Sequence, residues 1–328
     1  MMDHTQLSTF LKYCSDDEKV IDGIFSNHKI RFTQPAALND PLEFNPIIRF
    51  THNGSNYKFY VFDGIVFPSE EIRIRTQLIE SHLNTFSILS LTKLSDSFDM
   101  WNRYANGHKG FVIEFQPDFN KQPCMLSNDG TEYPVRQVEY VDEYAINIDD
   151  LADERGWISS KKANEIMFFT KTSRWKNEME YRMVRNLSDY PNWRPSMHKP
   201  HRDRRIYLFD LSLDCIESVM FGACMSVENK KKIIELCKDA EIKFVQAIII
   251  RDQKDRWNQP AKVVIAPADS FPNLLDSADI GMIAEQKHLE EKNGPPVTVN
   301  KLSEIPYYIN DKEWVLQYYK NRKSRLNL

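Results

Sequence analysis

Trp175-Lys176-Asn177-Glu178-Met179-Glu180-Tyr181-Arg182 sets Glu178, Glu180 and Arg182 in alternation with Met179, Tyr181 and Met183. Residues two apart share one face of an extended segment. The spacing therefore predicts a strand that points two carboxylates and a guanidinium one way while the methionines and Tyr181 anchor the other. Paired carboxylates beside a guanidinium can stabilise a cationic sugar as its leaving group departs. The plainer alternative is a solvated strand face with an ordinary Glu/Arg pair. Just upstream, Thr170-Lys171-Thr172-Ser173-Arg174 offers hydroxyls and basic groups suited to a ribose and its phosphates.

Three other segments carry chemistry. In Asn39-Asp40-Pro41-Leu42-Glu43, Asn and Asp ahead of proline are turn residues, and Asn39 or Asp40 can also shape a pocket wall. A helix from about residue 98 would put Trp101 and Tyr104 three apart. Such aromatics either pack into a core or stack a nicotinamide or adenine ring, with Arg103 or Lys109 meeting the pyrophosphate. Further on, Arg194, Lys199, Arg202, Arg204 and Arg205 stand against the single acid Asp203. This is either a contact for a nucleic-acid backbone or an exposed loop that aids solubility. His198-x-x-His201 has metal-like spacing, but no neighbouring Cys or acidic cluster completes it, so no metal is expected.

The bulk composition narrows the class. With 41% hydrophobic and 27% charged residues, the 328-residue chain is an ordinary globular one. A net charge of -4 gives no global pull toward nucleic acid or acidic membranes, so any such affinity is local. Cys14, Cys124, Cys215, Cys224 and Cys237 are scattered, odd in number and free of CxxC pairs. That argues against a disulfide framework and for a reducing cytoplasm. No apolar run approaches the roughly 20 residues that span a bilayer, and the first residues lack a secretory pattern. A cytoplasmic protein without membrane association is expected.

Periodicity predicts strands at 8–14, 29–33, 86–92, 110–115, 132–140, 206–211, 218–221 and 243–251, and residues 57–66 alternate apolar and polar loosely. Helices are expected after an N-cap at Ser15, then at 69–83, 149–169 and 227–239. The mixture implies one α+β unit over 1–270. Residues 271–328 read as a linker around Lys292-Asn293-Gly294-Pro295-Pro296, then a short aromatic helix from Asp311 with Trp314, Val315, Tyr318 and Tyr319. That helix would dock on the main domain or on a partner.

At these residues the chain resembles a bacterial family labelled only as a domain of unknown function. The matching motifs are Leu11-Lys12-Tyr13, the strand at 29–32, the Asn-Asp-Pro-x-Glu of Asn39 to Glu43, the Met-Trp-x-x-Tyr of Met100 to Tyr104, and the Gly-Phe-x-x-x-Phe of Gly110 to Phe115. Lys171 to Arg182, with its Trp-x-x-Glu-x-Glu-Tyr-Arg, is the most specific of them, and Val219-Met220-Phe221-Gly222 also fits.

More distantly, the layout is similar to the ADP-ribosyltransferase superfamily. The resemblance implies a split antiparallel sheet with flanking helices and NAD as a substrate. By order it places Lys12 or Tyr13 at the first NAD position, Ser90 or Thr92 through Tyr104 at the second, and Glu180, with Glu178, at the catalytic one. Asn39, Asp40, Trp101, Arg103 and Lys171 complete the implied cofactor set. The first strand departs from the superfamily in having no His or Arg, and only Ser90-Leu91-Thr92 stands for its Ser-Thr-Ser element. The expected function is an ADP-ribosyltransferase acting as a toxin or phage-defence effector on nucleic acid or protein, with a neutralising antitoxin as partner. The alternatives are a nucleotide-binding sensor without turnover and a nuclease whose Asp40, Glu43, Glu178 and Glu180 gather a divalent metal.

Overall fold

Every residue of Phe111–Phe115 except Glu114 is apolar and buried, the signature of a strand covered on both faces. The computed structural model describes residues 9–40, 43–49, 59–62, 65–68, 85–191, 193, 206–251 and 261–267, and it makes Phe111–Phe115 an interior strand. Leu11–Cys14 pairs with it antiparallel on one side and Ile216–Phe221 antiparallel on the other. Lys243–Arg251 then runs parallel to Ile216–Phe221, and Ala261–Pro267 follows antiparallel. The parallel pair needs a crossover, which carries the helix Val227–Leu236. This five-stranded sheet is therefore mixed, where the resemblance implies an antiparallel one. The protein is α+β.

The described residues fall into two compact units that alternate along the chain. One is drawn from Met1–Lys29, Lys93–Phe119 and Leu211–Leu328 and holds the mixed sheet. Its core gathers Leu11, Tyr13, Trp101, Val112, Met220 and Ala247. The helix Phe98–Tyr104 begins where Ser97 Oγ accepts the Met100 N–H, and it buries Met100 and Trp101. After Leu11–Cys14, Asp17 rather than Ser15 caps the next helix, Glu18–Ile21, by accepting the Lys19 N–H at 2.8 Å. Two glycines let backbones meet at the sheet's end: a Cβ on Gly110 would lie 2.0 Å from the Cys14 carbonyl oxygen, and one on Gly222 2.2 Å from that of His108.

The second unit comprises Ile30–Thr92 and Asn120–Asp210. Its three-stranded antiparallel sheet has Tyr181–Asn186 between Phe86–Leu91 and Val135–Gln137. Ile88, Ile146, Ile148, Met167 and Phe168 form the adjoining core. Two expected elements divide here. The predicted strand at 132–140 becomes Val135–Gln137 and Glu139–Val141, because the chain changes partners at Val138, whose N–H donates to the Glu180 carbonyl. Glu139–Val141 then pairs in parallel with Thr170–Thr172. The predicted helix at 149–169 becomes Ile148–Leu151 and Ser160–Phe169. Between them Asp153 Oδ1 accepts the Arg155 and Trp157 N–H groups, and Gly156 turns at φ 80°. The helix expected at 69–83, the basic residues Arg194, Lys199, Arg202, Arg204 and Arg205, and the expected C-terminal aromatic helix lie outside the described residues. No helix among the described residues is long and apolar enough to cross a membrane.

His108 is 4% exposed, and neither ring nitrogen has a hydrogen-bond partner among the described residues. Its ring lies 4.5 Å from that of Phe98 and stacks at 6.4 Å on Trp101. Burial lowers its pKa. The unfolded chain, with an ordinary value of about 6.5, therefore takes up a proton that the folded protein refuses. Stability should fall as the pH drops below that value, and His108→Phe should flatten the slope in urea melts between pH 7.5 and 5. Space predicts a second contrast. Gly222→Ala should cost about 1–3 kcal/mol through backbone overlap. Gly23→Ala, with nothing within 4 Å and an ordinary φ, should be neutral or stabilise by about 0.4–1 kcal/mol in the same melts.

Candidate functional site

The spacing of one extended face does not hold across Glu178 and Glu180. Ser173–Glu178 forms a tight helical turn, and Met179 sits in the left-handed region at φ 43°, ψ 52°. The strand begins only at Tyr181. Left-handed backbone costs a non-glycine residue about 1–3 kcal/mol, and such strain persists only where surrounding contacts impose it. Those contacts are electrostatic. The kink still brings Glu178, Glu180 and Arg182 together, but in a buried cluster, not on a solvated strand face.

Arg182 is wholly buried at 0% exposure. Its Nε donates to Glu180 Oε1 at 2.8 Å and its Nη2 to Glu180 Oε2 at 3.0 Å. Nη2 also donates to Glu43 Oε1, and Nη1 donates to the Phe168 carbonyl at 2.7 Å. Lys171 Nζ bridges the two other carboxylate contacts, 2.9 Å from Glu178 Oε2 and 2.9 Å from Glu180 Oε2. It also stands 5.0 Å above the Trp175 ring. Trp175 Nε1 donates to Asp40 Oδ2 at 2.7 Å, and Thr92 Oγ1 donates to the Glu178 carbonyl at 2.8 Å. The Glu180 N–H donates to the Tyr140 hydroxyl oxygen at 2.8 Å.

Glu180 is the shared member, touching both cations. Three carboxylates (Glu43, Glu178, Glu180) meet two cations (Lys171, Arg182), which leaves one negative charge in excess within the cluster. Burial raises the pKa of Glu180 and the Glu178 charge adds to that, while Lys171 and a hydrogen bond with Ser90 act against it. Burial draws the Lys171 pKa down, but Glu180 and Glu178 outweigh it and hold the ammonium above its ordinary value. Desolvation lowers the Arg182 pKa to about 9, which leaves it charged at neutral pH. A desolvated carboxylate with raised proton affinity can accept a proton or steady a neighbouring positive charge.

The expected residues divide between the units. Lys12, Tyr13, Trp101, Arg103 and Tyr104 belong to the first; Asn39, Asp40, Thr92, Lys171, Glu178 and Glu180 belong to the second. Trp101 has 0% exposure, with Tyr13 edge-on at 5.2 Å and its Nε1 donating to the Ser95 carbonyl at 2.8 Å. Tyr13 is buried and donates to the Leu94 carbonyl at 2.7 Å. Both serve the core as they stand, whereas Arg103 and Asn39 are exposed and Lys12 and Tyr104 half-buried. Asp40, Glu43, Glu178 and Glu180 are engaged by Trp175, Arg182 and Lys171, and among the described residues no group of three His, Cys, Asp or Glu is placed to hold a metal ion. Tyr140 escaped the sequence reading. It meets Glu180 because its strand lies parallel to Thr170–Thr172, in register with Lys171, a pairing no local pattern reveals.

Residues 100–183 match a family model described as a protein of unknown function (DUF2971). The matched span carries Trp101, Lys171, Glu178, Glu180 and Arg182, and its description assigns no activity. No curated protein and no solved structure matches the chain.

Removing one member of a buried ion network strands its partners, at a cost of about 3–5 kcal/mol. Lys171→Met should show that loss in urea melts at pH 7. The deficit should shrink at pH 5, because Glu180, already raised by burial and now relieved of this cation, binds a proton more tightly folded than unfolded.

Proposed function

We propose that the protein is an NAD-consuming, ADP-ribosyltransferase-like enzyme in which Glu180 is the catalytic carboxylate and Glu178 its companion. The observation that carries this reading is the Ser90–Glu180 contact at a buried carboxylate of raised proton affinity. Ser90 lies opposite Arg182 on the adjoining strand, so a hydroxyl and a carboxylate that the resemblance assigns to one site are neighbours. Cleavage of the glycosidic bond sends its electron pair to nicotinamide and leaves a cationic ribose. Glu180 steadies that cation; the acceptor nucleophile then bonds to the same ribose carbon and gives its proton to Glu180, while Lys171 and Arg182 fix the two Glu180 oxygens. Asn39, Asp40 and Thr92, from the same unit, shape the wall beside it. The acceptor is nucleic acid, met by the basic residues 194–205, or a protein side chain. The proposal extends to a toxin or defence role with a neutralising partner.

One observation favours a second reading, a nucleotide-binding protein without turnover. Both Glu180 oxygens already accept hydrogen bonds from Lys171 and Arg182, so the network serves as a structural keystone as it stands.

The experiment is nicotinamide release from NAD by the purified protein, alone and with bacterial RNA, DNA or lysate. Release that depends on one addition and drops about 10²–10⁴-fold in a folded Glu180→Gln variant is expected, and names the acceptor class. NAD binding without release under any condition favours the second reading, and absence of both binding and release overturns the first.

A further inference from the structure

The sheet of the second unit carries more than the ion network. Register sets Ser90, Arg182 and Arg136 opposite one another across its three strands, with Ile88 beside Val184 and Phe86 beside Asn186 further along. Cross-strand partners share a face. Where Ser160–Phe169 approaches this sheet, a pocket of about 390 Å³ opens, a volume typical of small-molecule sites. Phe86, Phe168, Phe169 and Val184 line it, with Arg136, Lys161 and Glu165 among them.

Its chemistry has two halves. Phe86 and Phe168 meet edge to face at 4.9 Å, an apolar wall for a flat ring. The Arg136 guanidinium lies over the Phe169 ring at 4.3 Å from its centroid, so a cation and an aromatic surface adjoin. Arg136 contacts Glu165 at 3.6 Å, with both side chains 45% exposed. An ion pair that open to water is worth little, and an incoming anion can displace it. Lys161 adds a second cation, so the pocket's three charged side chains sum to one positive charge.

We infer that this pocket binds a mononucleotide-sized ligand, a planar base against the phenylalanines with its phosphate on Arg136 and Lys161. The inference does not rest on the NAD reading, since it uses neither Glu178 nor Glu180. Calorimetric titration of the full chain with AMP tests it, with adenosine and inorganic phosphate as separate arms. AMP should bind saturably, and adenosine and Arg136→Ala should each lose about tenfold or more in affinity. Glu165→Gln, which removes the competing carboxylate, should bind AMP more tightly. Arg136 and Glu165 are surface side chains, so both variants should keep the wild-type melting curve. Phosphate binding as well as AMP, no AMP binding, or AMP binding that neither substitution changes would overturn the assignment. Because the readout is AMP binding and not NAD turnover, a failure here leaves the proposed activity standing, and the reverse holds too.

Discussion

The second unit depends on one constraint: the guanidinium of Arg182 is taken wholly out of water and must find its hydrogen-bond partners inside the protein. Glu180 and Glu43 supply carboxylates and Phe168 a carbonyl. Each partner comes from a different part of the chain, so satisfying one side chain draws together the turn at Glu43, the end of the helix Ser160–Phe169 and the start of the strand Tyr181–Asn186. Desolvation makes the arrangement all-or-none, because a buried charge left with half its partners costs more than an apolar residue in its place.

That same constraint explains why the candidate site is ionic and strained. Met179 adopts a left-handed backbone that no local preference favours, and Glu178 and Glu180 consequently meet on one ammonium, that of Lys171. A cluster of this kind can be read as a catalytic carboxylate held ready or as a keystone. The Ser90 hydroxyl beside Glu180 favours the first reading, and the full occupancy of both oxygens favours the second. The first unit is held by other means. Close backbone approach at Gly110 and Gly222, and the aromatic packing of Trp101, Tyr13 and His108, fix its sheet end without an ion network.

Much of this was legible along the chain. Phe86–Leu91, Phe111–Phe115, Lys243–Arg251 and the helices Phe98–Tyr104 and Val227–Leu236 stand where side-chain spacing put them. Misreadings fell where a nonlocal partner intervened. Residues 132–140 alternate like one strand but divide at Val138, because Glu139–Val141 leaves the Tyr181–Asn186 strand to pair with Thr170–Thr172. Residues 149–169 have helical periodicity, yet Gly156 and the Asp153 side chain turn the chain first. The pattern at Glu178 to Arg182 correctly marked three ionic residues that act together, for the wrong geometric reason.

The sequence by itself placed the strands and helices whose pattern depends only on side-chain spacing within a few residues, such as Phe111–Phe115 and Val227–Leu236. It also marked the Glu-x-Glu-x-Arg group, because charged residues at that spacing among apolar ones must be solvated or paired. Only the tertiary structure decided between those outcomes. Burial chose pairing, and it brought in Lys171, Glu43, Ser90 and Tyr140 from other segments. Solvation and Coulomb energies depend on distance in space, and separation along the chain does not encode that distance.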